Sequence, residues 1–323
     1  MLRRHMLAAA LVVLAAAPAF GQAYPTKPIT MIVPFAAGGP TDLLARIIGE
    51  RMGKELGQQF IIENVTGAAG TIAMAKLARA APDGYTIGIG HVGTNVANAV
   101  IYTKLGFDLV ADLEPIARLP ANPMLVVSTN NVPAKTLKEL VEYLKANPDK
   151  VSGGTAGIGS GSHLGALAFN KATGATYQLV PYRGTGPAMQ DLISGQIQVM
   201  VDQSSNSLPQ VQAGKIRAYA QTSAKRSPAM ADIPTAAEAG YPMEVSIWNG
   251  LWAPKGTPKD IIDKLNAAAV TALSDPAVRK RMEELGQDLP TAEEMKPATF
   301  AAFQKAELGR WKPILEAAGV KAE

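Results

Sequence analysis

The sequence predicts an α/β protein built from two consecutive series of strand–helix units. Short apolar runs alternate with segments of helical hydrophobic spacing along most of the 323 residues. Turns rich in glycine and other small residues join several of these strands to the helices that follow them. Such alternation is typical of parallel sheets covered by helices, and the chain is long enough for two domains.

The first series begins with a continuous apolar run, "ITMIVPF", as expected for a strand buried on both faces of a parallel sheet. A helix with apolar positions at helical spacing follows it. The predicted strands of this series are 29–35, 59–63 and 85–90. A helix is predicted at 43–56, and the segment 65–81 is predicted to be a glycine turn that leads into a second helix.

The second series starts near residue 124 and ends with 215–224, a strand that we expect to be long enough to cross between the domains. The chain is therefore expected to leave the first domain near 124 and to return near 224. The first domain would comprise 24–124 and 225–323, and the second 125–224. Between these limits we expect strands at 124–129, 150–156, 177–182 and 196–202, separated by helices, and after them a strand at 245–254 and helices at 258–275 and 298–319.

Residues 1–23 have the layout of a secretory signal peptide. Two arginines precede an apolar run at 6–17, and small residues lead to Ala23, with cleavage expected before Tyr24. The alternative is a membrane anchor, which would need about 20 apolar residues. The apolar run at 6–17 is shorter than this, so the signal peptide is favoured. Cleavage would remove two arginines and lower the formal net charge from +4 to +2. We expect a soluble, periplasmic protein.

Composition excludes several classes of function. There is no cysteine, so disulfides, thiolate metal sites and thiol nucleophiles are excluded. No cluster of Lys and Arg follows residue 23, and we therefore expect no nucleic-acid partner. His91 and His163 are the two histidines after the signal segment, too few for a histidine-rich metal site. We expect neither a metal nor a cofactor.

The segment "FAAGGPTD" (35–42) is a candidate anion-binding loop at the start of a helix. Helix N-termini carry unpaired N–H groups, and small residues let a carboxylate or phosphate approach them. Pro40 suits the first helical position, and Asp42 is expected to accept bonds from amides of the loop. A purely structural turn is the alternative. The candidate residues are Phe35, Ala36, Ala37, Gly38, Gly39, Pro40, Thr41 and Asp42.

A second loop, "GTAGIGSGSH" (154–163), also connects a strand to a helix and offers Ser160, Ser162 and His163 as polar groups. The two loops are able to face each other across a cleft, one from each domain. For His163 the alternative is a helix-cap histidine with a structural hydrogen bond. Arg183, in "YRGTGPA", is a candidate to bind a second anionic group of a ligand. The alternative is a surface residue without contact to the ligand.

The sequence contains no complete set of catalytic residues from the common enzyme motifs. There is no Walker loop and no Gly-x-Ser-x-Gly elbow. The glycines at 153–159 fit a short-chain dehydrogenase pattern, but no Tyr has a Lys four residues later. A nucleotide-using α/β enzyme with 153–163 as its loop is an alternative, less favoured because of the secretion signal. Trp248 and Trp252 are expected in the core, with a pocket position of Trp248 as the alternative.

Six blocks, in order, resemble the periplasmic solute receptors of the tripartite tricarboxylate transporter family, often called Bug proteins. The resemblance covers essentially all of the chain after the signal segment. The blocks are "YPTKPITMIVPFAAGGPTDLLAR", "IIENVTGAAGTIAMAKLARAAPDGYTI", "GIGSGSHL", "VPYRGTGPAMQDLISGQIQVMVDQ", "SAKRSPAMADIPTAAEAGYP" and "WNGLWAPKGTPKDII".

The resemblance implies a two-lobed, type II-like periplasmic binding protein with two mixed, mostly parallel sheets and a ligand cleft between the lobes. It implies a monomeric receptor, not an enzyme, that passes a small carboxylated solute to a membrane permease. A secreted adaptor that senses a ligand for a two-component kinase is an alternative with the same fold. Which acid binds is left open by the sequence.

The resemblance also places particular residues around the cleft. They are Phe35 through Asp42, then Ile158, Gly159, Ser160, Gly161, Ser162 and His163. With lower rank they are the segments 63–71, 91–95 with Thr94, and 181–186 with Tyr182, together with Asp202. Two departures from the family leave the ligand open: Val65-Thr66 replaces a common Arg-Pro, and Ala36-Ala37 replaces common prolines.

Overall fold

A computed structural model describes residues 24–322, and the predicted signal peptide lies outside this range. Within it, nine strands form a connected sheet with helices packed against it. The strands are β1 (Ile29–Val33), β2 (Phe60–Asn64), β3 (Thr86–His91), β4 (Leu113–Thr129), β5 (Ser152–Thr155), β6 (Gln178–Pro181), β7 (Val199–Gln203), β8 (Ile216–Gln221) and β9 (Ser246–Pro254).

Ten α-helices lie between and after these strands in the described range. They are α1 (Pro40–Leu56), α2 (Thr71–Ala78), α3 (Asn98–Ile101), α4 (Leu137–Ala146), α5 (Gly161–Thr173), α6 (Thr185–Ser194), α7 (Ser204–Gln212), α8 (Lys259–Ser274), α9 (Pro276–Glu284) and α10 (Pro297–Ala317). A short π-helical turn, Gly93–Ala97, precedes α3.

The strand order is β2-β1-β3-β9-β4-β7-β5-β6, and β8 also pairs with β4. β1 pairs in parallel with β2 and β3, and β5 pairs in parallel with β6 and β7. β4 and β9 run antiparallel to all their neighbours. The predicted α/β class is confirmed. The two expected sheets are joined through β4, and antiparallel pairing is as frequent as parallel pairing.

Strand β4 crosses from one half of the sheet to the other. It pairs with β9 as far as Pro123 and with β7 and β8 from Met124 onward. We call β2, β1, β3, β9 and the first part of β4 the first half-sheet, and the remaining strands the second half-sheet. The prediction that 215–224 is the crossing strand is wrong, because β8 ends at Gln221 and pairs within the second half-sheet.

The first part of β4 is absent from the predicted strands because three prolines interrupt its apolar pattern. Prolines remove ladder donors and are tolerated in sheets mainly at edges and bulges. The register with β9 shifts between Pro115 and Ala117 and again between Leu119 and Ala121. These irregularities let a strand rich in proline lie between two partners.

Buried side chains fill both faces of the first half-sheet. β1 is almost fully buried, so its carboxyl end is held at a fixed position in the fold. On the face toward α10, Trp248 and Trp252 pack with Phe300, and their indole N–H groups donate to Glu307 and Gln304. The predicted core position of both tryptophans is confirmed.

No helix within 24–322 is long and apolar enough to span a membrane.

Candidate functional site

The N-terminal ends of four helices surround one internal cavity between the two half-sheets. Its volume is about 10 Å³, which is room for about one water molecule and far below the ~300 Å³ of a typical ligand pocket. α1, α5 and α6 contribute residues of their first turns, and Gln203 immediately precedes α7. The lining residues are Phe35, Gly39, Pro40, Thr41, His91, Ala156, Ser160, Gly161, Ser162, Thr185 and Gln203. We call this space the inner cavity.

The first loop is held open by a carboxylate behind it. Gly38 has a φ of +82°, which favours glycine, and Gly39 is the N-cap of α1 without any side-chain cap. The Gly38 N–H donates to Asp42 Oδ2 at 3.0 Å, as the sequence predicted. Asp42 also accepts bonds from Arg46 and Asn64, and it does not line the inner cavity. Its part in the site is to shape the loop.

Burial alone would raise the pKa of the Asp42 carboxyl. The hydrogen bonds from Arg46, Gly38 and Asn64 outweigh this effect and hold the pKa below its ordinary value. Asp42 is therefore a carboxylate at neutral pH. Asn64 uses the same side-chain nitrogen to donate to the Phe35 carbonyl at 2.9 Å, which fixes the entry to the loop.

The second loop is organised by its own serines. Ser160 is the N-cap of α5, and its hydroxyl accepts from the His163 N–H. Ser162 Oγ accepts from the Ala156 N–H at 2.9 Å and lies 3.1 Å from Ser160 Oγ. Both serines are buried, and both line the inner cavity. They bring hydroxyl groups to the mouth of the helix beside its main-chain N–H groups.

His163 has the helix-cap position that the sequence left as an alternative. Its Nδ1 accepts from the Gly159 N–H at 3.3 Å, and the ring does not line the inner cavity. Burial lowers the pKa of His163. In the neutral ring, Nδ1 is an acceptor and holds the turn at Gly159 in place.

His91 forms one wall of the inner cavity. Its ring stacks on Phe35 with centroids 5.2 Å apart, and its Nδ1 accepts from the Gly93 N–H at 3.0 Å. Burial lowers the pKa of His91 to about 4, so the ring is uncharged near neutral pH. Thr94, a predicted site residue, is fully buried and accepts from the His91 N–H. It braces His91 instead of lining the cavity.

A third loop completes the site from the second half-sheet. The Ala36 N–H donates to the Arg183 carbonyl at 2.9 Å, which joins the first loop to the segment before α6. Thr185, the first residue of α6, is buried and lines the inner cavity. Glycines at 184 and 186 allow the two main chains to approach this closely.

Asp202 lies behind the inner cavity at the end of β7. The side chain is fully buried, and its Oδ2 accepts from Asn206 at 2.6 Å and from Ser207 at 2.8 Å. Burial raises the pKa of Asp202 to about 6, and the hydrogen bonds from Ser207 and Asn206 limit the rise. The next residue, Gln203, points to the opposite side of the strand, as alternation requires, and lines the cavity.

The electrostatics of the inner cavity favour an anion. No Lys, Arg, Asp or Glu is present among its lining residues, and its single histidine is uncharged. Positive potential comes from the first turns of α1, α5 and α6, because aligned peptide dipoles leave partial positive charge at helix N-termini. Such an arrangement binds a carboxylate without the cost of burying a charged partner.

A larger cavity of about 340 Å³ lies on the outer side of Phe35 and Ala156, which line both spaces. One wall is the turn Gly67–Gly70, in which Ala68 and Ala69 have positive φ values of 45° and 48°. Left-handed backbone at alanine is strained, and strained residues concentrate at functional sites. The other wall contains Ile158, Tyr182 and Arg183. We call this space the outer cavity.

The structure divides the predicted site residues into three groups. The inner cavity is lined by Phe35, Gly39, Pro40, Thr41, Ser160, Gly161 and Ser162, and the outer cavity by Phe35, Ile158 and Tyr182. The remaining predicted residues line neither cavity: Ala36, Ala37, Gly38, Asp42, Gly159, His163, Thr94 and Asp202.

Four further residues line the inner cavity. His91 and Thr185 lie in the lower-ranked predicted segments 91–95 and 181–186, whereas Ala156 and Gln203 were not named among the predicted residues. Each lies within or next to a predicted site segment, at the end of a strand or the start of a helix. The signal that identifies them is their position relative to the strand ends, not their residue type.

Other candidate sites in the described range are weaker. No group of three or more His, Asp or Glu that could hold a metal ion occurs between residues 24 and 322. Two wide surface concavities, of about 740 and 710 Å³, lie along β2 on opposite sides of the first half-sheet. Both are open to solvent and lack convergent helix N-termini.

Comparison with known proteins shows the family of this chain. Residues 44–320 match the family described as "Tripartite tricarboxylate transporter family receptor". A UPF0065 protein of Agrobacterium vitis is 40% identical over 298 residues, which is 92% of this chain and 86% of that protein.

Two solved structures share the fold closely. The periplasmic binding protein BugD is 42% identical with a TM-score of 0.89, covering 93% of this chain and all of that one. MatC of Rhodopseudomonas palustris, solved with bound malate, is 41% identical with a TM-score of 0.87, covering 90% and 100% of the two chains. These relatives are solute-binding receptors and not enzymes. The chain belongs to the tripartite tricarboxylate transporter receptor family, and it is a solute-binding receptor.

Proposed function

We propose that this receptor captures a small organic acid by holding one carboxylate in the inner cavity. The observation that carries the proposal is the convergence of helix N-termini on a buried space whose lining has no charged side chain. Main-chain N–H groups and the hydroxyls of Ser160, Ser162 and Thr185 are the proposed donors. Charge-assisted hydrogen bonds to a carboxylate are about twice as strong as neutral ones.

The relatives support this ligand class. MatC, 41% identical to this chain, was solved with malate, a four-carbon diacid. The outer cavity offers room for the rest of such a ligand beyond Phe35, with Arg183 at its edge.

The acid would stabilise a closed arrangement of two lobes, comprising 24–124 with 225–323 and 125–224. The hydrogen bonds that cross between the lobes include Ala36 N–H to the Arg183 carbonyl at 2.9 Å and Tyr102 Oη–H to the Ile158 carbonyl at 3.3 Å. A ligand that contacts both sides shifts the population toward the closed state. The monomeric receptor would act in the periplasm after removal of residues 1–23 and deliver its ligand to the membrane permease of a tripartite transporter.

Thr41 offers a direct test, because a carboxylate placed there would occupy the proposed anion site. Thr41→Asp adds a negative charge to the first turn of α1, where helix dipoles tolerate it, and Thr41→Asn is its neutral isostere. The protein is mixed with a panel of mono- and dicarboxylic acids, and the melting temperature is measured.

We expect at least one acid to raise the melting temperature of the wild type and of Thr41→Asn, but not of Thr41→Asp. The unliganded Thr41→Asp protein should melt no lower than Thr41→Asn. If acids stabilise Thr41→Asp as well as the wild type, the inner cavity is not the carboxylate site.

A further inference from the structure

Gln203 lines the inner cavity and has a buried side-chain oxygen without a hydrogen-bond partner among the described residues. It is the last residue of β7 and directly precedes α7, so it occupies a strand–helix junction like those of the first and second loops. Its side chain is 4% exposed. Opposite it on β4 is Met124, a fully buried apolar residue that offers the amide no partner on that strand.

The amide of Gln203 has no hydrogen bond to any described residue. Its Oε1 is fully buried and has no partner, and no bond from its Nε2 is found within the described range. Leaving one buried polar group unpaired costs about 1–3 kcal/mol. Ser160 and Ser162, by contrast, already accept bonds from main-chain N–H groups of their own loop. Gln203 thus presents unused hydrogen-bonding capacity at the wall of the cavity.

A carboxylate alone does not use this capacity fully. The amide has both an acceptor and donors, and a carboxylate is an acceptor only. A group with both properties, such as a hydroxyl on the carbon chain, satisfies either side of the amide.

We propose that Gln203 determines specificity by hydrogen-bonding a hydroxyl substituent of the acid, so that this receptor prefers hydroxy acids to their unsubstituted counterparts. This inference rests on the proposed function, because it takes the acid to lie in the inner cavity. A site built to bond a hydroxyl discriminates strongly against the analogue that lacks it, since the buried group of the protein then stays unpaired.

The test uses matched pairs of acids that differ by one hydroxyl: malate and succinate, lactate and propionate, and 3-hydroxybutyrate and butyrate. Dissociation constants are measured by calorimetry for the wild type and for Gln203→Met, which keeps the size of the side chain and removes the amide. Gln212→Met, on the exposed last turn of α7, is the matched control.

For each pair that binds, the wild type should bind the hydroxylated member about tenfold more tightly, as one hydrogen bond predicts. In Gln203→Met this ratio should fall to near one while the unsubstituted acid still binds, and Gln212→Met should retain the wild-type ratio. Equal binding of both members by the wild type, or an unchanged ratio in Gln203→Met, would overturn the inference and leave the carboxylate site intact. If no acid binds the wild type, the proposed function itself fails.

Discussion

Gly186 lies directly against the peptide bond between Gly38 and Gly39. A Cβ added at Gly186 would stand 3.0 Å from both Gly38 C and Gly39 N, closer than side chains normally approach a main chain. The first turn of α6 and the loop before α1 therefore meet backbone to backbone, and this contact joins the two half-sheets beside the inner cavity.

Gly186→Ala should oppose closure of the cleft without harming either half-sheet. Alanine suits the helix at this position, so the cost of the crowded contact falls on the closed state alone. We expect the affinity for the bound acid to fall about tenfold or more, since overpacking costs about 1–3 kcal/mol. Calorimetry gives the affinity, and small-angle scattering with saturating acid should show incomplete compaction.

Gly309→Ala is the control for this helical glycine substitution, because a Cβ at Gly309 would meet no neighbouring atom. Its acid affinity should equal that of the wild type. Wild-type affinity and compaction in Gly186→Ala would show that this backbone contact is not required for binding.

Asp42→Asn should disorganise the first loop. Each carboxylate oxygen of Asp42 accepts two bonds, and an amide would turn a donor toward donors of Gly38, Arg46 or Asn64. Hydrogen bonds to charged groups contribute about 1.5–3 kcal/mol, so the free energy of unfolding should fall by about 2 kcal/mol. Thermal melts measure this loss, and the acid-induced increase in melting temperature should disappear.

The pH dependence provides an internal check on Asp42. Because its folded pKa lies below the ordinary value of 3.8, its stabilising effect is present above that value and is lost as pH falls through the folded pKa. The stability gap between the wild type and Asp42→Asn should therefore be constant at pH 5–7 and narrow below about pH 4. Asp263→Asn, at an exposed pair with Lys259, should show no comparable gap.

His91 should make the protein less stable as the solution is acidified. Its folded pKa of about 4 lies below the ordinary 6.5, so the unfolded chain binds the proton more readily between these values. The free energy of unfolding has its full contribution from neutral His91 above pH 6.5. This contribution decreases as the pH falls toward 4, by up to about 3 kcal/mol.

His91→Asn keeps an acceptor near the position of Nδ1 and removes the titrating ring. Its melting temperature should depend less steeply on pH between 6.5 and 4 than that of the wild type. Some dependence should persist, because burial also lowers the pKa of His163. A slope identical to that of the wild type would show that His91 is not the buried neutral ring described above.

Glu307→Gln should destabilise the fold without affecting the site. Glu307 is buried, and its Oε2 accepts from the indole N–H groups of Trp248 at 2.8 Å and Trp311 at 3.3 Å. A glutamine loses the charge and supplies fewer acceptors, at a cost of about 1–3 kcal/mol. Thermal melts should show this loss, with the acid-induced increase in melting temperature retained. Glu316→Gln, on the exposed end of α10, should melt like the wild type.

The first and second loops were predictable because their chemistry is local. A strand, a run of small residues and a helix start are adjacent in the sequence, and Asp42 is close enough along the chain to bond the Gly38 amide. Strand β1 and helix α1 likewise follow from the apolar pattern of 29–56. These features need no information about the rest of the fold.

The other lining residues depend on contacts between distant segments. Thr185 and Gln203 reach the cavity because α6 and α7 begin at the same edge of the second half-sheet, and His91 because β3 ends beside Phe35. Asp202 and Gln203 are neighbours on one strand, so the choice between them depends on which face of β7 points into the cleft. Pleat alternation allows either choice until the neighbouring strands are known.

The passage of β4 through both half-sheets has a consequence for how the molecule melts. Both half-sheets include part of the same 17-residue strand, β4. When one half-sheet unfolds, the other therefore loses part of its strand pairing. Unfolding of one half-sheet alone is therefore unfavourable. Calorimetry should record a single cooperative unfolding transition in place of two separate peaks.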